Sequence, residues 1–461
     1  MTELRDTLFS ERKNGYDRIS LEERVESERY CKSYMEFLDR ARTEREAAAL
    51  TAELAEAHGF VPYVPGMALK AGDKIYSVNR GKSVMLAVIG KKPLSEGALI
   101  AGAHIDSPRL DLKPNPLYEQ DELAFLKTHY YGGIKKYQWL ATPLELHGVV
   151  VLKSGETVPV AIGREKDEPR FVITDLLPHL AQEQMKKTLS EAVTGEGLTI
   201  LIGSAPYADE GKDRVKLAVL SILNDLYGMT ESDFLSAELS AVPAVDVCEV
   251  GIDRSMIGGY GQDDRVCAFA ELQALFDVEA PERTCVCLFA DKEEIGSEGV
   301  TGMQSAAFDT FMEDLCEAQG VKLRRCFEKS ICLSADVTTA FDPLYPEVFE
   351  KRNEALLNYG VGVCKYTGSR GKYSTSDASA ELVGWLRRVL DEAGVVWQLT
   401  ELGKVDQGGG GTIARFMATR NIDTIDAGVP VLSMHAPFEV VGKLDCYMTY
   451  RAMLAAYQAK D

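Results

Sequence analysis

The chain has 461 residues, 46% of them hydrophobic, and 51 Lys and Arg residues against 71 Asp and Glu residues give a formal net charge of −20. This length predicts one to three domains, and the negative charge argues against nucleic acid or an anionic membrane as a partner. No apolar run approaches membrane-spanning length, and the start, Met1 to Asp6, lacks the apolar stretch of a signal peptide.

The ten cysteines form no Cys-x-x-Cys pair, and most lie in apolar runs, as Cys285 and Cys287 do. Such cysteines are typical of a reduced hydrophobic core and not of a disulfide framework. Together with the composition, they predict a soluble cytoplasmic protein.

The first predicted element is helical. Charged, helix-periodic residues extend from about Leu21 to His58, with no helix breaker between Leu21 and Ala57. We expect the charged face of this region to be solvated or to pack on a partner subunit. Residues 73–110 then predict strands that lead to His104.

A β-rich stretch follows the composition change at 112–116 and continues to about Pro243. It includes a predicted hairpin, in which Leu146 to Leu152 and Thr157 to Ile162 flank a Ser-Gly turn. None of the polar segments considered next falls within it. We therefore predict a domain at 111–244 inserted into a second domain formed by 1–110 and 245–461.

Two adjacent carboxylates, Glu293 and Glu294, follow an apolar run at 286–290 that predicts a buried strand. Carboxylates at such a position are costly unless a positive charge lies beside them. Because adjacent side chains point in different directions, one can bind a metal while the other acts as a general base. The alternative is the first turn of a solvated helix.

Four other segments carry histidine or aspartate, and three of these follow short apolar runs. In the pair His104 and Asp106, the imidazole can bind a metal while the carboxylate accepts its other ring N–H. Open α/β sheets gather their sites at the carboxyl ends of their strands. The remaining three segments are Asp263-Asp264 after a predicted bend at Gly258-Gly259, Ser334-Ala335-Asp336, and Ser433-Met434-His435.

The order of these five segments resembles the aspartyl aminopeptidase and yeast aminopeptidase I family of cocatalytic zinc exopeptidases. Further matches are Lys365 to Gly368, Lys372 to Ser374, and the glycine run Gly408 to Gly411. The resemblance covers nearly the whole chain. It implies an α/β fold, namely a three-layer zinc-exopeptidase catalytic domain that is split by a β-rich dimerisation domain.

The resemblance also implies roles for individual residues. Asp106 would orient a ligand, Glu293 would be the general base, and Asp263 would bridge two metals in preference to Asp264. The implied metal ligands are His104, Asp263, Glu294, Asp336 and His435.

Three carboxylate ligands and two neutral histidines would leave two divalent cations with about one net positive charge, which favours hydroxide. The absence of cysteine among them suits two Zn²⁺ per subunit, with Co²⁺ or Mn²⁺ as substitutes.

Substrate contacts are implied for Lys365, Tyr373, Gly410 and Met434. Without the resemblance, Lys365 would be a solvated lysine, Tyr373 a half-buried tyrosine and the glycine run a flexible loop. Relatives also send a histidine from the inserted domain into a neighbouring subunit's site, and His179 is the candidate here, the alternative being a structural role.

The sequence departs from acidic-specific relatives where they carry two histidines after the metal-binding aspartate. Thr339 and Asp342 stand at these positions, and an Asp near the pocket would repel an acidic substrate. The predicted function is release of the N-terminal residue from peptides with a free N-terminus by a large homo-oligomer, a dodecamer. The alternatives are a related dizinc deacylase or carboxypeptidase and an inactive shell protein of the same fold.

Overall fold

Most of the chain lies in helices and strands in the computed structural model, which describes residue 4 and residues 7–460. The segment predicted to lack a signal peptide lies almost wholly outside the described residues. The α-helices after residue 20 are α1 (Leu21–Arg40), α2 (Glu44–Ala57), α3 (Leu189–Ala192), α4 (Arg214–Tyr227), α5 (Gln262–Phe276), α6 (Ala307–Glu317), α7 (Leu323–Phe327), α8 (Ala380–Glu392), α9 (Ala414–Thr419) and α10 (Lys443–Tyr457).

The strands form three sheets. They are β1 (Val61–Pro62), β2 (Lys74–Asn79), β3 (Ser83–Val88), β4 (Leu99–His104), β5 (Arg109–Gln120), β6 (Leu123–Tyr131), β7 (Leu144–Val151), β8 (Thr157–Ile162), β9 (Thr199–Gly203), β10 (Ala237–Pro243), β11 (Cys248–Val250), β12 (Met256–Gly259), β13 (Cys285–Ala290), β14 (Ile331–Ser334), β15 (Thr338–Thr339), β16 (Val361–Cys364), β17 (Trp397–Thr400), β18 (Asp423–Gly428), β19 (Pro430–Leu432) and β20 (Glu439–Gly442).

The largest sheet has nine strands in the order β1-β2-β3-β13-β4-β14-β18-β16-β17, and its central strands β13, β4, β14 and β18 run parallel. Alternate residues of β4 enter different cores: Leu99 and Ala101 pack with α1, α2, α5, α8 and α10, whereas Ile100 packs with α6, α7 and α9. Because a strand buried on both faces reads as a continuous apolar run, these strands were recognisable from the sequence. The predicted three-layer α/β class is confirmed.

The second sheet is antiparallel, with six strands in the order β8-β7-β10-β5-β6-β9. All six lie between Arg109 and Pro243, so the sheet begins shortly before the β-rich stretch predicted from 112–116 to about Pro243. The predicted hairpin is β7 and β8, paired from Leu146↔Ile162 onwards. Helix α4 packs on this sheet over a separate apolar core.

The third sheet is small, with the order β11-β12-β20-β19-β15. The predicted bend at Gly258-Gly259 is wrong, because both glycines belong to strand β12. Gly258 is required there by packing, since a Cβ at this position would overlap the ring of Phe438.

The helical region 21–57 contains two helices, because the chain turns at 41–43 and Thr43 caps α2 by accepting the N–H of Glu46. Most charged residues of α1 are exposed, as expected for a solvated face. In the turn after α1, however, Arg42 is buried and pairs with Glu145 of the six-stranded sheet at 2.6 Å. Glu44 is likewise buried and pairs with Arg109 at 2.8 Å. Partners so distant in sequence leave no local pattern that would have revealed them.

The ten cysteines all fall in the described part of the chain and carry free thiols; nine are buried and Cys248 is exposed. This confirms the prediction of core cysteines. Among the described helices, none combines the length and the apolar character needed to cross a bilayer.

Candidate active site

Three polar segments meet where three neighbouring parallel strands end. In register, Ala290 at the end of β13 pairs with His104 at the end of β4, and Ser334 of β14 pairs with Gly102. Glu293 and Glu294 therefore follow β13 in a single helical turn beside His104, and Asp336 follows β14 on the other side. The predicted gathering at one sheet edge holds for these three segments.

The other two segments arrive from the five-stranded sheet. Asp263 lies at the start of α5, just after β12, and His435 lies just after β19. Strands β12 and β19 both pair with β20, which brings the two residues together. The sequence did not distinguish this five-stranded sheet from the nine-stranded sheet.

Asp263 lies between the two histidines. Its Oδ1 is 3.1 Å from Nε2 of His104, and its Oδ2 is 3.1 Å from Nε2 of His435. His104 Nε2 is also 3.9 Å from Oδ1 of Asp336, and His435 Nε2 is 3.5 Å from Oε1 of Glu294. The structure thus brings all five predicted ligand side chains into one cluster.

Asp263 and Asp264, joined by a cis peptide bond, differ in what their side chains contact. Oδ2 of Asp264 accepts the backbone N–H of His104 at 3.3 Å, and burial raises the pKa of this carboxyl well above its ordinary value. A cation could also lie among Asp263, Asp264 and Asp336, whose oxygens approach within 4.8 Å of one another. Neither histidine's Nε2, however, is directed at Asp264.

Asp106 ties the parts of the cluster together. His104 Nδ1 donates to the backbone oxygen of Asp106 at 2.9 Å and lies 3.3 Å from its Oδ1. The carboxylate also accepts the backbone N–H groups of Glu293 at 3.1 Å and Glu294 at 3.2 Å. Burial alone would raise the pKa of Asp106, but the hydrogen bond and charge of His104, the hydrogen bond from Tyr131 and the charge of Arg109 together lower it.

The cluster is electrostatically crowded. Burial raises the pKa of Glu293 to about 7, with Asp106 and Asp263 adding to the effect of burial and the charge of His104 opposing it. Burial and nearby carboxylates also raise the pKa values of Glu294 and Asp336 well above their ordinary values. Carboxyl groups crowded in this way hold protons unless a cation takes their place.

The donor set fits divalent metal ions. Carboxylate oxygens and imidazole nitrogens from five side chains converge, with no thiolate among them, which is the chemistry of catalytic zinc. Oε1 of Glu294 is buried and accepts no hydrogen bond. A buried carboxylate oxygen without a donor is costly, and a metal ion would satisfy it.

A cavity of about 480 Å³ opens beside the cluster. Gly410 and Met434, two of the predicted substrate contacts, line it, as do Val337 and Thr338. The N–H of Gly410 already donates to the backbone oxygen of Thr367 at 2.9 Å, so this group is not free to hold a substrate.

The close backbone contact in the glycine run requires glycine. Gly409 has φ +104°, and a Cβ there would lie 2.5 Å from the backbone oxygen of Gly368. The run is followed by the short helix α9.

The remaining predicted substrate contacts do not line this cavity. Lys365 is half-buried and Tyr373 is 70% exposed. His179 is exposed in a turn of the chain between strands β8 and β9. Their roles remain predictions from the resemblance.

Neither Thr339 nor Asp342 is among the residues that line the cavity. Thr339 ends strand β15, next to Thr338 in the wall. The carboxylate of Asp342 accepts the backbone N–H of Leu344 at 2.9 Å.

Sequence reasoning missed two acidic residues at the site. Glu439 is buried and accepts the backbone N–H groups of Asp263 at 3.2 Å and His435 at 2.7 Å. Asp426 lines the cavity and accepts hydrogen bonds from Ser334 and Thr412. The only signal in the sequence was one acidic residue at the start of β20 and one within β18. Nothing else in either strand indicated that these residues lie near the cluster.

An α/β fold with histidines and carboxylates gathered at its strand ends is typical of metal-dependent hydrolases. The model of the aminopeptidase I zinc metalloprotease (M18) family matches residues 37–457. The chain is 48% identical over 451 residues to a probable M18 family aminopeptidase 1 of Clostridium acetobutylicum, with 96% of this chain and 97% of the relative covered.

Solved structures agree. The crystal structure of an M18 family aminopeptidase from Thermotoga maritima has a TM-score of 0.94 at 45% identity, over 98% of this chain and 100% of that chain. The structure of the S. cerevisiae mApe1 dodecamer has a TM-score of 0.75 at 21% identity, over 92% of this chain and 95% of that chain, which shows the fold alone.

The chain belongs to the aminopeptidase I zinc metalloprotease (M18) family. It is therefore a hydrolase, a zinc metalloaminopeptidase, and the predicted family and enzyme class are confirmed.

Proposed function

We propose that this enzyme releases the N-terminal amino acid from peptides with a free N-terminus by means of two zinc ions per subunit. The observation that supports it most strongly is the position of Asp263, whose Oδ1 lies 3.1 Å from Nε2 of His104 and whose Oδ2 lies 3.1 Å from Nε2 of His435. A carboxylate shared in this way suits a pair of metal ions held close together.

The distances favour two ligand sets that share Asp263. One set consists of His104 and Asp336, and the other of His435 and Glu294, in agreement with their separations of 3.9 Å and 3.5 Å. Three carboxylates against two divalent ions leave about one net positive charge. Nitrogen and oxygen donors of this kind also accept Co²⁺ or Mn²⁺.

When bound, the ions supply Lewis-acid polarisation of the scissile carbonyl and make water more acidic. Glu293 then takes the proton from the attacking water and delivers it to the leaving amine. Its backbone is fixed for this task by Asp106. Because a carbonyl oxygen can only accept, the contact with Asp106 also keeps the proton of His104 on Nδ1 and leaves Nε2 free for metal.

The test compares alanyl-anilide with its N-acetylated form on protein loaded with zinc, cobalt or manganese. We expect cleavage of the free substrate only. Preference for the blocked substrate would favour a related dizinc deacylase or carboxypeptidase. Absence of turnover on any anilide or peptide, with metal bound, would favour an inactive shell protein of the same fold.

We expect a neutral or apolar N-terminal residue to be cleaved at least as well as Asp or Glu. Acidic-specific relatives carry histidines where this chain has Thr339 and Asp342, and the cavity wall contributes the carboxylate of Asp426, which disfavours an acidic side chain. The measurement is kcat/KM for leucyl-, alanyl-, aspartyl- and glutamyl-anilides.

The variant Asp426→Asn provides the matched comparison, since it removes the charge but keeps the shape. Its relative rate on aspartyl-anilide should rise. A strong preference of the wild-type enzyme for acidic anilides would refute the prediction.

We propose further that 111–244 is an inserted oligomerisation domain between catalytic parts 1–110 and 245–461. Supporting this, α4 exposes Ile222 (58%) and Leu226 (62%) beside an apolar cavity of about 680 Å³ between α4 and the six-stranded sheet. Exposed apolar side chains grouped in this way mark an interaction surface. Enclosure of the sites within a shell would restrict substrates to short peptides.

The expected assembly is a large closed homo-oligomer, a dodecamer, which light scattering on metal-replete protein would measure. Leu226→Asp should shift it to smaller species, whereas Asp225→Ser, an exposed change on the same helix, should not. A fully active wild-type monomer would rule out both the shell and a contribution of His179 to a neighbouring site.

Its working compartment, on this proposal, is the cytoplasm. The free, mostly buried thiols suit reducing conditions. The net charge of −20 disfavours nucleic acid and anionic membranes as partners.

A further inference from the structure

We propose that Tyr131, Gly132 and Gly133, at the end of strand β6 in the six-stranded sheet, form a positioning segment for the metal centre. None of the three offers a metal ligand. Each contacts a different residue of the site: Asp106, Glu294 or His435. The proposal rests on the metal-ligand roles proposed above and adds to them that the inserted sheet sets the metal affinity.

Tyr131 acts through Asp106. The hydroxyl of Tyr131 is buried and donates to Oδ2 of Asp106 at 2.7 Å. The same carboxylate lies 3.3 Å from Nδ1 of His104 and accepts the backbone N–H of Glu294. Removing this one donor would therefore loosen a histidine ligand and a carboxylate ligand at once.

The ring of Tyr131 is itself fixed. The guanidinium of Arg109 stacks on it, with Cζ 4.2 Å from the ring centroid, and the two residues are direct partners in the β5–β6 pairing. Arg109 is anchored in turn by ion pairs with Glu44 and Asp111, each at 2.8 Å. A hydroxyl on a side chain packed this firmly can determine where Asp106 lies.

Gly132 packs directly on Glu294. It has φ +75°, and a Cβ at this position would lie 3.1 Å from Oε2 and 3.3 Å from Cβ of Glu294. Any larger residue would therefore press on this carboxylate.

Gly133 orients the second histidine. Its backbone oxygen accepts the Nδ1–H of His435 at 2.8 Å, which leaves Nε2 directed at Asp263 and Glu294. The three consecutive residues thus contact Glu294 and His435 directly and reach His104 through Asp106.

The test is the zinc dissociation constant of Tyr131→Phe, measured by chelator competition, together with the visible absorption spectrum of the cobalt-loaded protein. Partners that orient metal ligands typically contribute tenfold to hundredfold in affinity, so we expect zinc binding to weaken by about that factor and the cobalt spectrum to change. Activity should return as zinc is raised, because every ligand and Glu293 are intact. The matched control is Tyr130→Phe, which removes the hydroxyl of the adjacent, 42% exposed tyrosine and should change neither quantity.

Wild-type zinc affinity and an unchanged cobalt spectrum in Tyr131→Phe would overturn the proposal, whatever happens to activity. Gly132→Ala gives a second route, since pressure on Glu294 should weaken zinc binding while the hydroxyl is kept. Unchanged zinc affinity in both variants would show that the segment contributes only to packing. The metal content and activity of the wild-type protein report separately on the proposed function.

Discussion

Glu293→Gln should lower turnover by at least about a hundredfold, the usual contribution of a general base, while the protein keeps two metal ions per chain. An amide has the shape of the carboxylate but cannot accept the proton of water. The backbone of Glu293 stays fixed by Asp106, because that contact uses the N–H and not the side chain. The measurements are kcat on alanyl-anilide and elemental analysis of the same sample.

Glu298→Gln supplies the control, since Glu298 is exposed in the same loop and should be silent. Glu294→Gln should instead lose metal, which separates a ligand from a base. Near-normal turnover by metal-loaded Glu293→Gln would remove Glu293 from the proton-transfer role.

Asp263→Ala should abolish activity and release at least one metal ion. Its two oxygens are the groups directed at both imidazoles, so neither proposed ligand set survives its removal. Asp264→Asn should do less, because the backbone N–H of His104 already occupies one of the Asp264 oxygens and an asparagine oxygen can accept it equally well. The measurements are the number of metal ions per chain and kcat for both variants. A greater loss of metal and activity in Asp264→Asn than in Asp263→Ala would show that Asp264 is the bridge.

The sequence predicts those parts of the site that follow directly from strands. Apolar runs at 286–290 and 98–101 end in Glu293-Glu294 and His104, and the parallel pairing of β13 with β4 brings their ends together. A buried parallel strand has a continuous apolar signature, and its carboxyl end is where sites form. These two facts require no knowledge of distant contacts.

The rest depends on contacts between distant parts of the chain. His435 and Asp263 come from a separate small sheet, and Glu439, which holds the backbone of both, shows no local pattern beyond one acid in a strand. The buried pair Arg42 and Glu145 was missed for the same reason. Charged residues in a helical region are usually solvated, and only the fold reveals which of them find a buried partner.

Some site residues were predicted only from the resemblance to the family. Lys365 and Tyr373 matched the family by sequence, yet neither lines the cavity in the single chain. No physical property of a lysine or tyrosine in these segments indicates a substrate contact. Their roles, and that of His179, await variants assayed in the assembled enzyme.

The proposed ligands lie as far apart in sequence as His104 and His435 and come from two sheets that only the folded chain brings together. A cation bound among them links the two sheets and stabilises the folded chain relative to the unfolded chain. A ligand present at a thousand times its dissociation constant adds about 4 kcal/mol to the free energy of unfolding. Zinc starvation would therefore lower the heat resistance of this enzyme as well as its catalytic rate.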